Sequence, residues 1–91
     1  MKATKIKMQY GCRYSQNVEE ISQIYIEGCT NPGFFDKDVL HDYLKEYPNS
    51  IYVDIYPYPY LIPAVSKNGE KYVKSAANQW THDNLLDLPR E

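Results

Sequence analysis

Residues 4–13, TKIKMQYGCR, alternate in character. Thr4, Ile6, Met8, Tyr10 and Cys12 fall on one side, and Lys5, Lys7, Gln9 and Arg13 on the other. A period of two is the pattern of a half-buried strand. Ser15-Gln16-Asn17 is turn chemistry. The ISQIYIEG run that follows is rich in β-branched side chains and stops at Gly28, which predicts a returning strand; a helix over Val18–Tyr25 is the rival reading. CTNPG at 29–33 then interrupts the chain.

The period changes after residue 36. Val39, Leu40, Tyr43, Leu44 and Tyr47 recur at helical spacing, with Lys37, Asp42, Lys45 and Glu46 on the other side. Asp36 stands as an N-cap, and Phe35 and Leu40 are placed for a hydrophobic staple. Pro48 closes a helix predicted over 36–47, whose apolar stripe needs a sheet to lie on.

From Ser50 the period returns to two, with Ile51, Val53 and Ile55 directed inward and Tyr52, Asp54 and Tyr56 outward. Asn68-Gly69 between two strand-like runs predicts a hairpin with a two-residue loop, which sets Lys67 opposite Glu70 and Val65 opposite Tyr72. THDNLLDLP reads as one helical turn capped by Thr81, apolar through Leu85, Leu86 and Leu88, and stopped by Pro89. The expected fold is α+β: a single small domain over residues 1–91, with a mostly antiparallel sheet in the order ββαβββ, one helix on one face and a short C-terminal helical turn.

The segment IYVDIYPYPYLIPAV, residues 51–65, changes the picture most. Tyr56, Tyr58 and Tyr60 alternate with Pro57 and Pro59, and Pro63 shares their parity. Proline lacks an N–H, so in a continuously extended chain these three remove donors along one side, which suits a sheet edge or a polyproline-like run. The tyrosines then form a stiff phenolic row. Rigid tyrosines offer contact area at low entropic cost and are frequent in recognition surfaces; the plainer alternative is that they cover the second face of the sheet. Ten tyrosines against two phenylalanines fit half-wet surfaces.

At 91 residues the chain buries a modest fraction of its surface, which makes a partner subunit a useful supplement. A net charge of −2 provides no global field for nucleic acid or an anionic membrane, so nucleic acid is disfavoured as a partner. No apolar run reaches membrane-spanning length and no signal-peptide core follows the Lys-rich start, so a cytoplasmic location is expected. Cys12 and Cys29 lack ligand spacing and read as reduced, half-buried residues, with a disulfide as the alternative.

Known catalytic and cofactor motifs are missing, so neither an enzyme nor a cofactor or metal site is expected. His41-Asp42 reads as part of a solvated helix face, and His82-Asp83 as ordinary helix-start electrostatics. Ser66 and Ser75 flank the hairpin with no base placed near them. Lys67, Lys71 and Lys74, with Arg13 and Arg90, supply cations beside Tyr72 and Trp80. That equipment suits a phosphorylated or nucleotide-like ligand.

In NGEKYVKSAANQWTHDNLLDLPR, residues 68–90, the pattern carried by Tyr72, Val73, Ser75, Asp83, Asn84, Leu85, Leu86, Leu88 and Pro89 resembles short bacterial and phage proteins of the domain-of-unknown-function family three-eight-nine-two. The resemblance implies a small α+β domain and supplies no activity.

The expected function is a non-catalytic binding protein, assembled with itself as a homo-oligomer. It would hold a small anionic ligand, with a nucleotide signal as the candidate, in the manner of a sequestering sponge. The binding residues would be Tyr56, Tyr58, Tyr60, Lys71, Tyr72, Lys74, Trp80, Arg13 and Arg90. The alternative is a protein–protein module or inhibitor of a larger host or phage protein, and a small hydrolase using His41 or His82 comes last.

Overall fold

The computed structural model describes residues 1–76 and 83–91. β1 (Lys2–Met8) and β2 (Ile21–Glu27) pair antiparallel, so the strand reading of the second segment holds. The helical rival survives only as a single 3-10 turn at Val18–Glu20. β3 (Gly33–Asp36) adds antiparallel to β2, and the short β4 (Tyr52–Val53) adds parallel to β1. The strand order is β3-β2-β1-β4. β3 corrects the expected order, which becomes βββαβββ among the described residues. It follows a Pro-Gly break and is too short to show periodicity, and pairing with β2 defines it: Phe34 sits opposite Tyr25, their ring centroids 5.1 Å apart.

The β1–β2 register shifts twice, around Thr4 and around Ser22. Each bulge places an extra residue on one strand and turns the following side chains over. That is how Ala3, Ile6 and Met8, and likewise Ile21, Ile24 and Ile26, are all buried although neither set keeps a spacing of two. β1 ends at Met8, short of the predicted residue 13, and Tyr10 is fully exposed.

α1 (Lys37–Glu46) follows the predicted helix closely. Asp36 holds the N-cap position, but its carboxylate accepts from Gln23 Nε2 at 2.8 Å and makes no cap hydrogen bond. The buried face is Leu40, His41 and Leu44, rotated from the predicted stripe, and Val39, Tyr43 and Tyr47 are left exposed. The rotation follows from what the helix packs on. Its main neighbour is the hairpin β5 (Leu61–Val65) with β6 (Lys71–Ser75), a separate two-stranded sheet and not a continuation of the first.

The hairpin is one residue out of the predicted register. Val65 faces Lys71 and Ala64 faces Tyr72. Ser66 N donates to Glu70 O at 2.9 Å, leaving a three-residue loop of Lys67, Asn68 and Gly69, in which Gly69 alone has positive φ (+82°). A type I′ loop needs positive φ at both central residues. A three-residue loop needs it once. The Ser66 hydroxyl favours the longer loop by accepting from the amides of Asn68 and Glu70. Gly69→Ala meets no neighbour within 4 Å but must adopt that φ, so urea denaturation is expected to show a loss of about 1 kcal/mol.

After the hairpin, Asn84–Asp87 forms one 3-10 turn that buries Leu85 and Leu86, with Leu88 behind it. Its N-cap is Asp83, which accepts from Leu85 N at 2.9 Å; Thr81, the predicted cap, lies outside the described residues, as does His82. The tail then joins the first sheet: Ile6 N donates to Pro89 O, and Glu91 N to Ile6 O, both at 2.9 Å.

Candidate functional site: the tyrosine turn

The chain reverses between β4 and β5. Tyr52 and Tyr60 form an antiparallel bridge, Val53 N donates to Pro59 O and Leu61 N to Ile51 O, each at 2.8 Å. Within the reversal Tyr58 N donates to Ile55 O at 2.7 Å, the Tyr56–Pro57 peptide is cis, and Tyr58 has φ +60°. The tyrosine–proline run is therefore a closed turn and not the extended row expected from its alternation. Proline restricts φ at Pro57 and Pro59 but does not stop Tyr58 between them from entering the left-handed region. Pro63 keeps the edge role: the hydrogen-bonded pairs of the hairpin involve even-numbered residues of β5, so its missing donor faces outward.

The rings stay outside. Tyr56, Tyr58 and Tyr60 are 72%, 53% and 47% exposed. Tyr58 lies edge-to-face with Tyr56 at 6.1 Å and with Tyr52 at 6.2 Å, a geometry that favours aromatic pairs. Tyr52 is absent from the predicted site although it shares the parity of the others, which was the signal available. The turn is tied to the terminal plug through the buried Asn84, whose Nδ2 donates to Tyr56 O at 3.4 Å.

The other predicted site residues scatter. Tyr72 and Lys74 share the even face of the hairpin ribbon with Tyr60, opposite Ala64 and Ile62. Lys71 pairs with Asp42 at 2.9 Å. Arg90 is a structural clamp, its guanidinium donating to the carbonyls of Arg13 (2.7 Å), Ser15 (2.9 Å) and Leu86 (3.1 Å). Arg13 itself is exposed, and Trp80 lies outside the described residues.

Among the described residues, the groups considered for catalysis, His41, Ser66 and Ser75, have structural partners. His41 is buried at 4% exposure, contrary to the solvated reading, because the hairpin covers its side of α1. Its Nδ1 lies 3.0 Å from Asp42 Oδ1. The Asp42 carboxyl is held below its ordinary range, first by the hydrogen bond from Lys71 and then by that from His41. Ser66 serves the hairpin loop, and Ser75 Oγ donates to Asp83 Oδ1 at 2.6 Å. Among the described residues no group of three or more His, Cys, Asp or Glu could hold a metal ion.

A second polar cluster joins Cys12, Ser15 and Glu20. Glu20 accepts from the Ser15 hydroxyl and from Cys12 Sγ at 3.3 Å. These two hydrogen bonds, Ser15 first, lower the Glu20 pKa, while the bond to Glu20 and then partial burial raise that of Cys12. A raised thiol pKa leaves less thiolate, the reactive form of cysteine. The stability that Glu20 contributes is present above its unfolded value near 4.5 and is lost as pH falls through the lowered folded value. Ser15→Ala is expected to move the Glu20 titration, followed by carboxyl NMR, back toward 4.5.

From Tyr56 of the turn onward, the hairpin and the plug follow in one contiguous stretch. Residues 56–89 match the family described as Protein of unknown function (DUF3892). This is the family that the C-terminal motif resembles, and the matched segment covers a minority of the chain's 91 residues. No curated protein and no solved structure matches the chain. Within the matched segment the motif residues have structural roles. Val73, Leu85, Leu86 and Leu88 enter the core, and Ser75 and Asp83 form one hydrogen-bonded unit. Among the described residues, no helix is long and apolar enough to cross a membrane.

Proposed function

We propose that this chain is a cytoplasmic, non-catalytic binding protein that assembles with itself and uses the tyrosine turn as its contact surface. The carrying observation is Tyr58: a large side chain occupies a left-handed backbone position that suits glycine, while its ring stands half exposed between Tyr52 and Tyr56. A turn needed only to reverse the chain would place glycine there, and retained local strain with a displayed ring suits a surface selected for contact. Tyrosine has two torsions to freeze, and here neighbouring rings already restrict them.

A second reading rests on the even face of the hairpin, where Tyr60, Tyr72 and Lys74 combine aromatic area with a cation. That face suits a small anionic ligand with an aromatic part, and it does not draw on Lys71 or Arg90, which are engaged elsewhere.

Sedimentation velocity and native mass spectrometry on protein purified from cells test both readings. The expected result is an oligomer with an even number of subunits, and extra bound mass would add the ligand reading. A monomer at every concentration would end the self-association proposal, and one that captures a single other protein would replace it with an interaction module.

A further inference from the structure

Among the described residues β3 (Gly33–Asp36) is an outer strand of the four-stranded sheet, and its free side follows from the ladder. On β1 the backbone of Ile6 bonds to the C-terminal tail, through Ile6 N to Pro89 O and Glu91 N to Ile6 O. Lys5 and Lys7 therefore turn their N–H and C=O groups to β2, where they lie opposite Tyr25 and Gln23. Ile24 and Ile26 in turn face β3, opposite Phe35 and Gly33. The backbone of Phe34 and the N–H of Asp36 are left pointing outward. The Asp36 carbonyl, at the N-cap of α1, accepts the first helical bond. Pro32, one residue before the strand, shares their parity and has no N–H. Within β3 there is no lysine, proline or bulge, features that commonly guard an edge.

This edge is complementary to a copy of itself. In an antiparallel pairing about a two-fold axis at Phe34, each Phe34 N–H meets the other copy's Phe34 carbonyl, and each Asp36 N–H meets the other copy's Pro32 carbonyl. Pro32, which has no donor, lies opposite the Asp36 carbonyl that the helix already uses, so the pairing strands neither a donor nor an acceptor. The side chains agree. Gly33 lacks a positive φ, and a β-carbon there would meet nothing within 4 Å, so the single chain gives glycine no role at this position. In the pairing it lies opposite the other copy's Phe35, where the missing side chain leaves room for the ring, and glycine inside a strand is a mark of close approach by another backbone. On the opposite face Phe34 meets its counterpart, which extends the edge-to-face pair of Tyr25 and Phe34, 5.1 Å apart, into a row across both copies. From this self-complementarity we infer that β3 pairs with β3 of a second copy and joins two four-stranded sheets into one. The tyrosine turn follows β4 at the other edge of the sheet, so this contact does not rest on it, and the two together build a tetramer.

The test uses Tyr58→Ala protein, which lacks the ring proposed to make the turn contact. Sedimentation equilibrium is expected to show a dimer, and hydrogen exchange at the Phe34 and Asp36 amides, followed by NMR, should slow at least tenfold as the protein is concentrated. In the same background Asp36→Pro removes one outward N–H at a φ of −63° that proline adopts, and should weaken the dimer at least tenfold. Asp36→Ala keeps that N–H, loses only the Gln23 contact and should dimerise as its parent does. Gly33→Val should weaken the dimer at least tenfold without lowering the melting temperature of the dilute monomer. The proposal is overturned by a Tyr58→Ala protein that is monomeric at every concentration, by Phe34 exchange indifferent to concentration, by a loss in Asp36→Ala equal to that in Asp36→Pro, or by parental affinity in both Asp36→Pro and Gly33→Val. A monomeric Tyr58→Ala protein beside an oligomeric wild type would leave the turn contact standing, whereas a Tyr58→Ala dimer with slowed Phe34 exchange beside a wild type no larger would leave only the edge.

Discussion

Asp83→Ala is expected to lower the unfolding free energy by about 3 kcal/mol and the melting temperature by roughly 10–20 °C. Among the described residues, the Asp83 carboxylate accepts three hydrogen bonds: from Ser75 N at 3.0 Å, from Ser75 Oγ at 2.6 Å and from Leu85 N at 2.9 Å. One caps the terminal turn, a contribution of about 1 kcal/mol. The other two join the end of β6 to that turn. Ser75 is buried, so removing the carboxylate leaves its amide and hydroxyl without their acceptor, at about 1–3 kcal/mol for a buried orphan. Behind the cap, Leu85 and Leu86 lose the anchor that holds them in the core. Ser75→Ala removes only the hydroxyl contact and should cost about 1 kcal/mol, and the double variant should lose less than the sum because the two side chains share one interaction. Circular dichroism melts of the three variants decide the matter. A loss below about 1 kcal/mol for Asp83→Ala would mean that the plug is held by leucine packing alone.

This clamp also indicates how far the sequence could be read. Its residues were visible as a motif, and the cap and plug followed from DNLLDLP, but the pairing of Ser75 with Asp83 depends on how the chain returns after β6, which no local pattern encodes. The same limit appears elsewhere. The long, strongly periodic helix was legible because ten residues at one period outweigh a single exception. Its orientation was not, since Val39, Tyr43 and Tyr47 could serve the core as well as Leu40 and Leu44, and the docked hairpin decided the choice by covering His41. Asn68-Gly69 identified the hairpin. The register then turned on the Ser66 hydroxyl, a contact that dipeptide preferences do not contain. In the tyrosine turn, exposure of the rings followed from composition and parity, while the turn itself did not, because its closure depends on the Tyr52–Tyr60 bridge and on the Asn84 side chain arriving from the plug. Among the cations, Arg90 looked free in sequence and is held by three carbonyls supplied from two separate segments.

Tyr58→Ala is expected to weaken self-association by roughly 10- to 100-fold, measured by sedimentation equilibrium, the range of a buried aromatic anchor at an interface. Its effect on monomer stability should be small, since the ring is 53% exposed and its contacts are two edge-to-face pairs. Tyr58→Gly separates the ring from the backbone. Both variants lack the phenol, but alanine keeps a β-carbon at φ +60°, which costs about 1–2 kcal/mol, and glycine does not. The glycine variant should therefore be more stable than the alanine variant by about 1 kcal/mol, after allowing for the greater freedom of glycine in the unfolded chain, and equally poor at assembling. Tyr58→Phe, which retains the ring and the strain, should assemble nearly as well as the wild type unless the hydroxyl itself makes a contact. Assembly that survives in the alanine and glycine variants while the alanine protein melts far lower would assign Tyr58 to holding the turn together, and the contact surface would then have to lie elsewhere.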